Sequence, residues 1–185
     1  MGTLVYDPFY REIPRFFGMS LQTLCEVKHP RAWVDFEHGE IDEATMLERF
    51  FSDGRSFDGE GLKRTMSEAY RLLPGIEAVL EDLRARGVPM HALSNYPRWY
   101  GLIEERLALS SYVQWSFVSC DTGLRKPDPE AYRHACTQLS VEPGQCLFVD
   151  DRDDNCVAAR AQGLHAVRFV DAAGLRQDLQ GHGLL

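Results

Sequence analysis

Phe148-Val149-Asp150-Asp151-Arg152, with Asn155 three residues further on, sets two adjacent carboxylates at the end of a short apolar run, Cys146 to Val149. A run of this length and character reads as a buried strand. In open α/β sheets ligands bind at the carboxyl ends of the strands. Two carboxylates side by side there repel each other unless a cation compensates, and magnesium takes hard oxygen ligands of this type. Asp150 and Asp151 are therefore candidate metal ligands. The same residues also suit an acidic turn capping the next helix, so the pair takes its meaning from its surroundings.

Outward from this point the chain alternates. Upstream, Pro129 to Leu139 reads as a helix, Trp115 to Ser119 as a strand, Trp99 to Leu109 as a helix and Val88 to Leu93 as a strand. Pro74 to Arg86 spaces Ile76, Val79, Leu80 and Leu83 by three and four residues and is followed by Gly87, a helix with its stop signal. Downstream, Asn155 to Gln162 is helical, Gly163 ends it, and Ala166 to Val170 reads as the last strand. Repeated strand-helix units with short joints build a parallel sheet covered by helices. The fold class is α/β, with a Rossmann-like parallel sheet. Tyr10 to Tyr70 differs, being mostly helical, rich in aromatics and broken at Gly39 and at Asp53-Gly54-Arg55. The expected organisation is an α/β core of residues 1–9 and 71–185 carrying an inserted helical cap, residues 10–70.

Two further motifs precede the acid pair. Arg125-Lys126-Pro127-Asp128-Pro129 puts a lysine where it can neutralise both a phosphate and a nearby carboxylate; read alone, it is an exposed lysine before a proline-started helix. Ser94-Asn95 follows the Val88 to Leu93 strand, where a hydroxyl and backbone N–H groups can hold phosphate oxygens near a helix start; read alone, the serine is an N-cap.

Composition narrows the function class. The formal net charge is −8, with 20 Lys and Arg against 28 Asp and Glu. Binding to nucleic acid draws on clustered basic residues, so a nucleic-acid partner is not expected. No run approaches the roughly 18 apolar residues of a membrane span, and no membrane partner is expected. The five cysteines, Cys25, Cys120, Cys136, Cys146 and Cys156, form no CxxC pair or zinc-like spacing and read as reduced thiols. No secretory signal is visible after Met1, which points to a cytoplasmic location, or to the chloroplast stroma if a transit peptide lies upstream.

In this order and spacing, Ser94, Lys126 and Asp150-Asp151 resemble the second, third and fourth motifs of the haloacid dehalogenase-like hydrolase superfamily. Gly2-Thr3-Leu4-Val5 is similar to the end of its first motif, Asp-x-Asp-Gly-Thr. The resemblance covers the whole chain. It implies a magnesium-dependent phosphatase acting on a small phosphorylated metabolite, in which the first motif's leading Asp attacks phosphorus and its second Asp protonates the leaving group. Met1 falls at the position of that second Asp, and the nucleophile falls two residues ahead of Met1. The first core strand is then missing from the sheet, which predicts a buried slot with unpaired backbone groups on both neighbours; a start assigned too late is the expected explanation. Asp7-Pro8-Phe9-Tyr10, Phe16-Phe17-Gly18-Met19, Lys28-His29-Pro30, Asp53-Gly54-Arg55 and Asn95-Tyr96-Pro97 carry a closer resemblance, to a plant-type branch similar to chloroplast flavin mononucleotide hydrolases. In that branch the first motif reads Asp-x-Met, which puts Met1 in register and implies flavin mononucleotide as the substrate to try first.

The resemblance assigns catalysis to Ser94, Lys126, Asp150 and Asp151 and metal binding to Asp150 and Asp151; substrate contacts are expected at Ser94, Asn95 and Lys126, and at Arg55 from its place in a Gly-flanked turn. Trp33, Phe36, Phe50, Phe51 and Phe57 either stack on a flat ring or form the core of the cap. His29 either replaces the missing acid or is a structural histidine, and Asp7 either does the same or starts a turn. Two other readings remain: a haloacid dehalogenase, which the paired carboxylates disfavour, and a non-catalytic relic that binds a phosphometabolite or a protein. Nothing in the sequence sets the oligomeric state.

Overall fold

The computed structural model describes residues 1–185. Five short helices come first: α1 (Glu12–Phe16), α2 (Leu21–Val27), α3 (Ala32–Glu37), α4 (Glu43–Glu48) and α5 (Gly59–Ala69). They are entered and left through one joint, because Val5 lies antiparallel to Leu72, Tyr6 N donates to Arg71 O and Leu73 N donates to Leu4 O, both at 2.9 Å. These contacts hold together the chain on either side of the five helices. The remainder alternates: α6 (Ile76–Ala85), β1 (His91–Ser94), α7 (Tyr100–Leu107), β2 (Gln114–Val118), α8 (Ser119–Thr122), α9 (Pro129–Leu139), β3 (Leu147–Asp150), α10 (Asp153–Ala161), β4 (His165–Arg168) and α11 (Ala172–Gly181).

Local chemistry accounts for most of the boundaries. The Ile76, Val79, Leu80 and Leu83 face of α6 is buried, and the helix ends where Val88 N donates to Leu83 O and Gly87, at φ 71°, turns the chain out. Val88 therefore belongs to the helix stop, Pro89 has no N–H to give a ladder, and β1 begins later than expected, at His91. Helix α9 matches the expected Pro129 to Leu139, with Asp128 accepting from Glu130 N at 2.9 Å and Pro129 in the first turn. Strand β4 is displaced from the expected Ala166 to Val170, because its partner runs only from Leu147 to Asp150; Val170 lies outside the ladder and is exposed. Helix α11 was not expected. Its signals are slight: an Asp171 cap accepting from Gly174 N at 2.8 Å and two buried leucines, Leu175 and Leu179.

All strand pairs are parallel, but they form two sheets of two, β1 with β2 and β3 with β4. The free edges of β1 and β3 line a common cavity of about 260 Å³, walled by Ile76, Val79, Leu80 and Leu83 of α6, Leu175 and Leu179 of α11 and Ile103 of α7. The cavity is a slot between the two sheets. On the other side of β3, Tyr132, Cys136, Phe148, Cys156, Ala159 and Leu164 form a separate apolar cluster under α9 and α10.

Candidate active site

One chain of hydrogen bonds spans the slot at the carboxyl ends of β1 and β3. Asp150, the last residue of β3, is buried; its Oδ2 accepts from Lys126 Nζ at 2.6 Å and its Oδ1 accepts from Asn155 Nδ2 and Arg152 N, both at 2.9 Å. Lys126 is only 8% exposed, and its ammonium lies 5.2 Å from the centroid of the Phe148 ring. Its main chain is gripped from the β1 side, where Lys126 N donates to Asn95 Oδ1 and Asn95 Nδ2 donates to Lys126 O, both at 2.8 Å. A buried cation and a buried anion are tolerable only with their remaining hydrogen-bonding capacity satisfied; three protein donors do this for Asp150.

Asp151 is built differently. Its N–H donates to Thr3 Oγ1 and that hydroxyl donates to Asp151 Oδ1, each at 3.1 Å, while Oδ2 accepts nothing from the protein. Gly2 lies against the same carboxylate at φ 76°, and a Cβ there would come within 2.6 Å of Oδ2, so only glycine fits. No three His, Cys, Asp or Glu side chains gather anywhere in the chain as a ready metal cage. Magnesium does not need one: it commonly takes one or two carboxylates and fills its octahedron with water and substrate phosphate. The free oxygen of Asp151 suits one corner of such a shell, whereas both oxygens of Asp150 are engaged by protein donors.

The structure brings Ser94, Lys126 and Asp150 to the same slot, together with Met1 and Thr3. It does not bring the other expected substrate contacts there. The Asn95 side-chain amide is occupied by the main chain of Lys126. Arg55 donates from Nε and Nη2 to Asp53 at 2.9 and 2.8 Å, and its guanidinium sits 4.6 Å over Phe51; it is not among the residues lining the slot. Phe50, Phe51 and Phe57 surround Phe17 at 5.0 to 5.4 Å, and Trp33 and Phe36 pack edge-on to Trp99 at 5.7 and 5.6 Å. These rings are occupied with one another. His29 Nδ1 accepts from Arg31 N and Ala32 N at 3.2 and 3.0 Å, which makes it the cap of α3. Asp7 accepts from Phe9 N at 2.9 Å and caps the Pro8–Tyr10 turn, and burial pushes its carboxyl above the ordinary value.

Sequence reasoning missed the seat of Asp151 on Thr3, although Gly2-Thr3 had been matched to a motif. Phe36-Glu37 also belongs to the plant-type resemblance, but nothing in the sequence names a partner for Glu37, whose carboxylate on α3 accepts from Arg125 Nε at 3.0 Å. That pair joins residues 88 apart, a separation at which neither spacing nor periodicity carries a signal.

The chain is similar to known proteins in sequence and in fold. The profile of the haloacid dehalogenase-like hydrolases matches residues 33–163. Flavin mononucleotide hydrolase 1, chloroplastic, of Arabidopsis thaliana is 46% identical over 184 residues, covering all of this chain and 75% of that protein. The sesquiterpene phosphatase astK of Aspergillus oryzae is 25% identical over 172 residues, 88% of this chain and 84% of that one. Among solved structures, a HAD family enzyme from Bacteroides thetaiotaomicron, in complex with magnesium and inorganic phosphate, superimposes with a TM-score of 0.75 at 19% identity, covering 95% of this chain and 94% of that chain. No helix here is long and apolar enough to cross a membrane. With a family profile over most of its length and a hydrolase aligned from end to end, the chain belongs to the haloacid dehalogenase-like hydrolases.

Proposed function

We propose that the protein is a magnesium-dependent phosphomonoesterase for a small phosphorylated metabolite, with flavin mononucleotide the first substrate to test. The observation that carries this reading is the convergence of Ser94 and the Lys126–Asp150 pair at one end of the slot, with a free carboxylate oxygen on Asp151, the residue that follows Asp150. The chloroplastic relative named for flavin mononucleotide supports the choice of substrate.

Each residue then has a distinct task. Lys126, held from both sides, presents fixed positive charge to the transferring phosphoryl oxygens, and the Ser94 hydroxyl donates to one of them. Asp150 orients Lys126 and is not a metal ligand, which narrows the expectation that both acids bind metal; Asp151 is the ligand. Bound magnesium supplies charge neutralisation between the phosphate and the attacking carboxylate. The attacking group is the leading Asp of the family's first motif. Its carboxylate forms a bond to phosphorus as the ester P–O bond breaks, and water then releases phosphate and restores the carboxylate. Met1 stands where the family's general acid does, and a thioether carries no proton. The leaving oxygen takes its proton from water, so turnover is expected to lack the roughly 100- to 10,000-fold that a positioned acid contributes.

The reading is tested by phosphate release from flavin mononucleotide, with and without magnesium, for this chain and for a form extended upstream through the Asp. Activity confined to the extended form with magnesium, and lost in Asp151→Asn, is the expected result. No turnover of any phosphomonoester by either form would reject it.

A further inference from the structure

The helical region touches the site from a side that the chemistry above does not use. Glu37, at the end of α3, is 8% exposed, and its two carboxylate oxygens have separate partners: Oε1 accepts from Trp33 Nε1 at 2.7 Å and Oε2 accepts from Arg125 Nε at 3.0 Å. Its carbonyl oxygen accepts from Ser119 Oγ at 2.5 Å, and the fully buried Ser119 hydroxyl in turn accepts from Tyr96 N at 3.0 Å. Two residues on, Gly39 sits at φ 75° so close to the core that a Cβ would lie 2.5 Å from Cys120 O. The 37–39 turn is thus seated directly on the segment that runs from the end of β2 to Lys126.

We propose that Glu37 is a positioning residue for Lys126, acting through Arg125. The inference rests on the role given to Lys126 above. Asn95 grips the Lys126 peptide from the β1 side, and Glu37 holds the preceding residue from the opposite side of the chain's long fold. With both anchors in place, the lysine main chain is fixed at two adjacent residues, and Nζ reaches Asp150 without searching. Displacing the 37–39 turn displaces Arg125 and carries Lys126 with it, so seating of the helical region and placement of the phosphate-binding cation are a single event. Burial pushes the Glu37 carboxyl above its ordinary value, and Arg125, more than Trp33 or His38, pulls it back. A charge-assisted bond of this kind is the stronger class of hydrogen bond.

The test uses the 185-residue chain with two readouts. The first is the NMR signal of the Lys126 Cε methylene, assigned with Lys126→Arg. The second is the affinity for inorganic phosphate in the presence of magnesium, by titration calorimetry. Glu37→Gln keeps the shape of the side chain and an acceptor for Trp33 while removing the charge. It should shift the Lys126 signal and weaken phosphate binding about fivefold, less than the full worth of one charge-assisted bond because Lys126 keeps its other anchors. Arg125→Gln should do the same, the double variant no more than either alone, and Arg125→Lys should recover part of the loss. An unmoved Lys126 signal in Glu37→Gln, or additive effects in the double variant, would overturn the proposal and leave Glu37 as a fastening of the helical region only. If the native chain binds no phosphate, the phosphatase reading falls, while the Lys126 signal still decides whether Glu37 positions the lysine.

Discussion

The interior of the slot and its mouth are built on opposite principles. Inside, two strand edges stand unpaired and the walls are aliphatic, with Val79, Leu80, Leu83, Leu93 and Val149 facing empty space. At the mouth, Asn95, Lys126, Asp150 and Asn155 form a continuous hydrogen-bonded span in which both oxygens of the buried carboxylate are engaged. Apolar packing is non-directional and needs only volume, so the interior can wait for any extended segment that fills it. The polar span is directional and cannot be left half made in a low-dielectric setting. The polar span is therefore complete although the strand edges beside it stand unpaired.

If that contrast is right, filling the interior should have the largest effect. At the roughly 24 cal/mol per Å³ that cavities remove from stability, the space of about 260 Å³ corresponds to about 6 kcal/mol. The form extended upstream should then melt roughly 15 °C above this chain. Equal melting temperatures would mean that the slot is not a strand seat. Next comes the mouth: Asp150→Ala strands the Lys126 ammonium and should lower stability by about 3–5 kcal/mol in denaturant unfolding. The paired change Lys126→Met with Asp150→Leu should recover most of that loss while abolishing phosphate binding, separating the pair's structural role from its chemical one.

The two neighbouring acids sharpen the contrast further. Asp151 has one oxygen free and a hydroxyl for its other partner, so Asp151→Asn should change stability by less than about 1 kcal/mol. Calorimetric titration should nevertheless show magnesium binding lost. The smallest expected effect is at Asp7, whose carboxyl burial raises above the ordinary 3.8. The folded protein then holds more protons than the unfolded chain between 3.8 and the raised value, so stability falls as pH rises through that window and the deficit is complete at neutral pH. Without divalent metal, Asp7→Asn should gain under about 1 kcal/mol at pH 7 and nothing below the ordinary carboxylate range. It keeps an acceptor for Phe9 N. A gain that persists in acid would point to packing instead.

What could be read from sequence was whatever depends on near neighbours. Helical spacing marked α6, a proline after an aspartate marked the start of α9, and an apolar run ending in Asp150-Asp151 marked β3 and the end at which chemistry sits. The order of Ser94, Lys126 and the acid pair pointed to the carboxyl ends of the strands, and Ser94, Lys126 and Asp150 line one slot there. Boundaries moved where a cap or a partner's length overruled propensity, as at Val88 and Val170. The division of labour among the site residues belonged to the tertiary structure alone. Asp150 and Asp151 are adjacent in sequence and chemically identical; besides the nearby Asn155, it is the distant Lys126 and Thr3 that engage one on both oxygens and leave the other with an oxygen free. The same holds for Glu37 and Arg125, since the partners that satisfy a buried charge are chosen by three-dimensional proximity, on which spacing along the chain has no bearing.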